Sequence, residues 1–325
     1  MGERGLLDLI IALLPGLKYH QRILLQQAFD REEDFVIQSK GDIERCLERQ
    51  LKCFWNIDEV RVKAEWITSV CVKRSIQWVS WTDPSYPPLL REIGDPPPVI
   101  FYRGILPNPE KPLLGMVGTR KPSPEGLEQA YSIARGVGQA GISVVSGLAL
   151  GIDARSHMGN LCAGVPGYAV LGSGADEIYP SSNRALAKRI LDSGGAILCE
   201  YPPGTRPAKW NFPARNRIIS ALSRGVLVVE APQKSGALIT AELALDHGKD
   251  LWVASSGAMR QYGAFDKSGT AKLAFDGAEI IFSARDVLEK WNMEIVDNEE
   301  AAVTELGESG NGLASSMAKL LEIEL

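Results

Sequence analysis

Between residues 113 and 282 short apolar, β-rich runs alternate with helical patterns, and this alternation limits the fold more than any other feature of the chain. The runs fall at 113–117, 143–145, 168–171, 196–199, 226–230, 251–253 and 279–282. Helical spacing fills the intervals, near 125–139, 153–162, 183–191, 214–222, 237–246, 270–275 and 285–291. A strand that returns through a helix lies parallel to its predecessor, with a right-handed crossover. The spacing therefore predicts an α/β domain built on a doubly wound, mostly parallel Rossmann-like sheet. Ligands of such sheets lie beyond the carboxyl ends of the strands.

From Leu6 to about Trp78 apolar residues recur at intervals of three and four, as in Leu6, Leu9, Ile10, Leu13 and Leu14, which predicts a small all-α domain over 1–80. Within it Leu13-Leu14-Pro15-Gly16-Leu17 precedes a second helical pattern, the skeleton of a helix-hairpin-helix, although an acidic run at Asp30, Glu32, Glu33 and Asp34 opposes a DNA role for it. Residues 81–112 read as a Pro-rich connector and the start of the core, carrying Asp83-Pro84, Tyr86-Pro87-Pro88 and Asp95-Pro96-Pro97-Pro98. The Rossmann-like domain then occupies 113–291. Residues 292–325 read as an acidic linker ending in a short helix from Leu313, too little chain for a further folded domain.

The 325 residues carry a net charge of −5, so a nucleic-acid partner has to be held by a local patch. Cys46, Cys53, Cys71, Cys162 and Cys199 are odd in number and widely spaced beside three histidines, which argues against a disulfide framework or a zinc site and favours a cytoplasmic protein. The apolar run 9–14 is bracketed by Asp8 and Pro15. It lacks the pattern of a signal peptide and is too short to cross a membrane.

The local patch is GTRPAKWNFPARNR at 204–217, where Arg206, Lys209, Arg215 and Arg217 surround Trp210 and Phe212 without an acidic residue. Cations that track phosphates, interleaved with rings on which bases stack, suit a single strand of nucleic acid. Four loops after strands share an anion-binding composition. These are Gly118-Thr119-Arg120-Lys121, the stretch from Ser146 and Gly147 to Gly151 and Asp153, Gly172-Ser173-Gly174 ahead of Tyr179-Pro180, and Lys234-Ser235-Gly236-Ala237. None is a Walker A loop, and the third lacks the final glycine of a dinucleotide fingerprint, so NAD, FAD and ATP are not supported and no cofactor is expected. His20, His157 and His247 have no nucleophile at motif spacing, and Gly-x-Ser-x-Gly is absent. Glu200, Glu230 and Glu242 stand near strand ends, where a buried carboxylate pair facing a pocket would revive an enzymatic reading.

Taken in order, the segments DPSYPPLLREIGDPPPVIFYRG, VGTRKPSPEG, VVSGLALGIDARSH, AVLGSGADEIYPSSNRALAKRI, CEYPPGT, NFPARNRIISALS, VLVVEAPQKSGALITAELAL and DGAEIIFSARDVL resemble the DNA-processing protein A family, DprA or Smf. The resemblance covers residues 81–288, and the helical head agrees with that family's sterile-alpha-motif-like domain. It implies a bacterial cytosolic protein of natural transformation, not an enzyme, that binds incoming single-stranded DNA, displaces or bypasses single-strand-binding protein and loads the RecA recombinase. Carried over by motif, Arg120, Gly204, Lys209 and Phe212 fall on DNA-contacting positions. Arg215, Asn216 and Arg217 extend the same turn, and Asn216 and Arg217 could equally hold loops together from inside. The family's homodimers form through the later part of the domain, here after Asp250. The chain departs from the pattern at Val253-Ala254-Ser255-Ser256-Gly257, where Val-Pro-Gly-Ser is usual, and at Lys272, where asparagine is common. The competing reading is a nucleotide-binding protein, similar to phosphoribohydrolases of the Lonely Guy type. It requires Glu230 or Glu242 to share one closed pocket with Arg120, and the Pro-Gly-Gly-x-Gly-Thr turn of those enzymes is absent.

Overall fold

The computed structural model describes residues 3–52, 55–258 and 264–294; Cys53, most of the acidic tail and the helix expected from Leu313 lie outside the described residues. The chain opens with α1 (Glu3–Leu13), α2 (Tyr19–Ala28), α3 (Glu32–Val36), α4 (Lys40–Cys46) and α5 (Ile57–Arg74). Between α1 and α2 the chain turns at Gly16, whose φ of 74° suits a residue without Cβ. Of the apolar stripe read from the sequence, Leu9, Ile10 and Leu14 are 0% exposed and Leu6 and Leu13 are half-buried, while Leu7 and Ile11 beside them are fully buried as well.

A nine-stranded sheet follows, in the order β1-β2-β6-β5-β4-β3-β7-β8-β9. Its strands are β1 (Gln77–Ser80), β2 (Val99–Gly104), β3 (Leu113–Val117), β4 (Ser143–Ser146), β5 (Tyr168–Val170), β6 (Ala196–Cys199), β7 (Gly225–Val228), β8 (Asp250–Ala254) and β9 (Glu279–Ile281). The pairs β1–β2 and β2–β6 are antiparallel and the rest are parallel. β3 to β7 are buried along their whole length, as a sheet covered on both faces requires. The covering helices are α6 (Pro88–Arg91), α7 (Pro124–Gln139), α8 (Ile152–Cys162), α9 (Arg184–Asp192), α10 (Asn211–Leu222), α11 (Gly236–Asp246), α12 (Ser255–Ala258), α13 (Ser268–Phe275) and α14 (Ala284–Lys290). Among the described residues, no helix is long and apolar enough to cross a membrane.

Two strands correct the sequence reading. β1 lies inside the stretch assigned to the helical unit, and β2 inside the Pro-rich connector. Four-residue β1 has no period to read, and prolines flank β2, which is where a sheet tolerates them. The connector is itself part of the core. Tyr86 is 0% exposed and donates its hydroxyl hydrogen to the Pro97 carbonyl at 2.7 Å, while the Arg91 guanidinium lies 5.3 Å from the Tyr86 ring and 5.8 Å from that of Trp81.

The helical unit and the sheet share one apolar cluster, in which Leu9, Ile67 and Cys71 join Leu171, Ala175, Ile197 and Cys199. Polar contacts fix the docking. Gln26 donates Nε2 to the Asp8 and Pro98 carbonyls, at 2.9 and 3.3 Å, and Tyr19 of α2 lies 4.6 Å from the guanidinium of Arg217 on α10. Arg217 in turn holds Glu200, just past β6, through two bonds of 2.9 and 2.6 Å, with both side chains only 4% exposed.

Removing Glu200 takes from the buried Arg217 its enclosed partner and leaves it the half-exposed Asp95 carboxylate at 3.1 Å. Glu200→Ala is expected to cost about 3 to 5 kcal/mol, read by thermal or urea unfolding. Glu200→Leu combined with Arg217→Met, which removes both charges, is expected to cost less than Glu200→Ala alone.

Candidate nucleic-acid interface

The chain runs from β3 through β4 and β5 to β6 on one side, then returns to the other side of β3 with β7 and continues to β8 and β9. The order reverses between β3 and β7, and crevices beyond the carboxyl ends form at such reversals. An open groove of about 650 Å³ lies there. Arg120 and Lys121 reach it from the loop after β3, Lys209 and Phe212 from the turn into α10, and Lys234 and Ser235 from the loop after β7. Among the described residues its lining holds the cations Arg120, Lys121, Lys209, Arg215 and Lys234 against one carboxylate, Asp153. Arg120, Lys121, Lys209 and Lys234 are exposed, so a polyanion reaches them from solvent.

The loops hold their shape for local reasons. Ser123 caps α7 by accepting from the Gly126 amide at 3.1 Å, with Pro124 in the first turn, and Ser235 caps α11 by accepting from Ala237 at 3.2 Å. Glu230, at the end of β7 and 1% exposed, accepts from the Ser123 amide at 2.8 Å and its hydroxyl at 2.6 Å, and pairs with Lys267 at 2.8 Å. Its backbone carbonyl accepts from the Thr119 amide at 2.7 Å. This carboxylate therefore anchors the loop that carries Arg120.

An aromatic floor completes the groove. The rings of Phe212 and Tyr179 have centroids 5.7 Å apart with planes tilted by 35°, and the Arg120 guanidinium sits 5.6 Å from the Phe212 centroid. A Cβ on Gly172 would come within 2.9 Å of the Phe212 ring, so this glycine of the third loop serves as the bed of the aromatic group. The sequence reading named Tyr179 only as following that loop. An aromatic residue placed after a glycine turn at a strand end was the available signal.

The predicted site residues divide into two sets. Gly118, Thr119, Arg120, Lys209, Phe212, Arg215, Asn216, Ser235 and Gly236 line the groove, and Gly147 lines a small adjoining recess of about 60 Å³ that shares Arg120, Tyr179 and Phe212. Arg215 is only 5% exposed, donating to the Gly147 carbonyl at 2.8 Å and to that of Val170. A Cβ on Gly147 would lie 2.5 Å from that guanidinium, which explains the glycine. Burial lowers the Arg215 pKa to about 10, with Arg120 acting in the same direction and Asp153 opposing; the group stays cationic at neutral pH. Burial likewise raises the Asp153 carboxyl, with Arg215 opposing. Asn216, 7% exposed, donates to the Gly236 carbonyl at 3.0 Å and so braces the fourth loop while facing the groove.

Four predicted residues stand elsewhere. Arg217 does not reach the groove, because its guanidinium is spent on Glu200 and Asp95, and the alternative of a brace from inside is the one realised. Ser146 is 0% exposed and donates to the Met116 carbonyl at 2.5 Å, leaving nothing for an anion. Gly204 is exposed but lies outside the groove lining, and its amide donates to the Asp176 carboxylate at 3.0 Å. Gly151 lets two loops touch: with φ of 79°, a Cβ there would lie 2.5 Å from the Thr119 carbonyl oxygen. The carboxylates are also dispersed. Glu230 and Glu200 are each neutralised by a separate cation, Glu242 is exposed on α11, and none of the three lines the groove. His157 is 0% exposed with neither ring nitrogen hydrogen-bonded, and burial holds its pKa near 3.

Known proteins are similar to this chain in sequence and in fold. The chain is 44% identical over 220 residues to protein Smf of Synechocystis, a match spanning 66% of this chain and 54% of that protein, which is about half of the relative's length. It is 34% identical to DNA processing protein DprA of Streptococcus pneumoniae over 83% of this chain and 92% of that one. The solved structure of the S. pneumoniae protein superposes with a TM-score of 0.69 and 32% identity, covering 90% of this chain and 99% of that one. DNA processing protein A of Helicobacter pylori, solved in connection with its single-stranded DNA binding mode, gives a TM-score of 0.58 at 28% identity, covering 67% of this chain and 98% of that one. The model of the family described as DNA recombination-mediator protein A matches residues 77–292, about two thirds of the chain, from the first strand to the end of the last helix described. The chain belongs to the DNA recombination-mediator protein A family, the DprA or Smf proteins.

Proposed function

We propose that the groove binds single-stranded DNA, phosphates on its cations and bases on the Phe212–Tyr179 pair, and that the protein acts as a recombination mediator that loads RecA on DNA entering the cell in natural transformation. The observation that carries the reading is the juxtaposition of five cations with an aromatic floor in one open groove. Duplex DNA offers phosphates but keeps its bases stacked inside, so the floor favours a single strand. The H. pylori relative, described by its single-stranded DNA binding mode, supports the same ligand. The remainder of the family's expected activity, in the cytoplasm and with single-strand-binding protein on the incoming strand, is proposed with it.

We read the protein as non-catalytic. A phosphoribohydrolase of the Lonely Guy type would need Glu230 or Glu242 to share one closed pocket with Arg120, yet Glu230 is bound by Ser123 and Lys267, Glu242 lies outside the groove, and the groove is open. A homodimer is part of the proposal. Apolar side chains are exposed after Asp250 and on α11: Phe275 is 90% exposed, Phe282 67%, Leu245 61% and Ile280 40%. Much of this surface borders β9, the edge of the sheet.

Anisotropy of labelled oligo-dT at two salt concentrations tests the ligand. Wild type is expected to bind dT more tightly than duplex of equal length and to weaken as salt rises. Arg120→Ala/Lys209→Ala should lower the slope of log K against log salt by about one per lost phosphate contact. Phe212→Ala should cost roughly 5- to 100-fold. Equal binding by wild type and both variants would refute the site. For the dimer, light scattering after size exclusion is expected to give twice the chain mass for wild type and a single chain mass for Phe275→Glu.

A further inference from the structure

Among the described residues, Trp55, Trp78, Trp252 and Trp291 are each less than a tenth exposed, whereas Trp66 is 54% and Trp210 77% exposed. Trp210 belongs to the basic loop that enters α10. Trp66 comes from the helical unit, 144 residues earlier in sequence (210 − 66). Its ring nevertheless lies beside the same loop: a Cβ on Gly204 would stand 3.7 Å from Trp66 Cη2. This placement follows from the docking of α5, whose Ile67 and Cys71 pack in one cluster with Leu171, Ala175 and Cys199, just past the carboxyl ends of β5 and β6 or at the last residue of β6.

The groove and Trp66 thus share one edge of the sheet. The groove lies over β7, β3 and β4, its Tyr179 and Phe212 floor follows β5 in the lateral order, and Trp66 stands at the β5–β6 end. Adjacent strands are about 4.8 Å apart, so β7 to β6 spans roughly 20 Å. The loop between carries exposed Arg206 and Lys209. On α5 itself exposed Lys63 is offset by Glu59 and Glu65, so this helix adds little net charge and its contribution is the face of an indole.

We infer that the strand's path continues past Phe212 over the basic loop to Trp66, which forms a second stacking subsite for a base flanking those in the groove. This rests on the single-stranded DNA reading above and adds the helical unit to the binding surface. The occupant is the same strand, because the loop beside Trp66 is the basic, aromatic one that leads out of the groove.

The test is a ladder of labelled oligo-dT from about 4 to about 30 nucleotides, titrated with the full chain as wild type, Trp66→Ala and Trp66→Phe. Wild-type affinity is expected to climb with length to a plateau. Trp66→Ala should leave the shortest binding oligomers unaffected, reach its plateau earlier and bind long oligomers about five-fold or more weaker, while Trp66→Phe recovers most of the loss. Superimposable length curves for wild type and Trp66→Ala would overturn the subsite and leave the groove standing. An equal loss at every length would also overturn it, as the mark of a folding defect. Failure of wild type to bind any oligomer would overturn both.

Discussion

At the carboxyl end of β7 the chain buries Glu230, and the loop that presents Arg120 to the groove is tied to it. Its carboxylate accepts from the amide and hydroxyl of Ser123, pairs with Lys267 and sits against Gly126, where any side chain would collide with it. Its backbone carbonyl receives the Thr119 amide. A buried carboxylate is tolerated only when such partners replace its hydration. Here the partners come from the loop after β3, the start of α7 and the residue preceding α13. Satisfying one charge therefore aligns the segment that presents Arg120 at the point where the strand order reverses.

The two arginines two residues apart on α10 show how burial changes what a cation does. Arg217 is enclosed with Glu200 and serves the joint between the helical unit and the sheet. Arg215 is equally enclosed, but it is held by backbone carbonyls and faces Asp153 across the groove wall. It adds positive potential from behind the surface, whereas Arg120 and Lys209 project into solvent. At physiological ionic strength charges are screened beyond about 8 Å, so these local cations, not the net charge of −5, set what a phosphate meets.

Much of the architecture was legible because its signals are local. The seven parallel strands are short apolar runs followed by helical spacing. β1 and β2 were not legible, since β1 is an edge strand of only four residues and β2, although paired on both sides, follows a run of prolines. The same limit applies at the site. The basic aromatic stretch was visible, and Arg120, Lys209 and Phe212 do converge on one groove. That Arg217 turns inward depends on Glu200, seventeen residues away, and on Tyr19 from the helical unit. Ser146 was misjudged because a strand-end hydroxyl looks alike in sequence whether it meets solvent or, as here, a neighbouring carbonyl. The position of Trp66 beside the basic loop is a product of docking alone.

The central claim is that a single strand lies along the carboxyl edge with a base on the Phe212–Tyr179 floor. Photocrosslinking of an oligo-dT carrying 5-iodouracil, followed by mass spectrometry of the adducts, tests it most directly. The account predicts adducts on Phe212 or Tyr179, with any others on the segments that border the groove. Adducts confined to α7, α14 or the far edge of the sheet would contradict it.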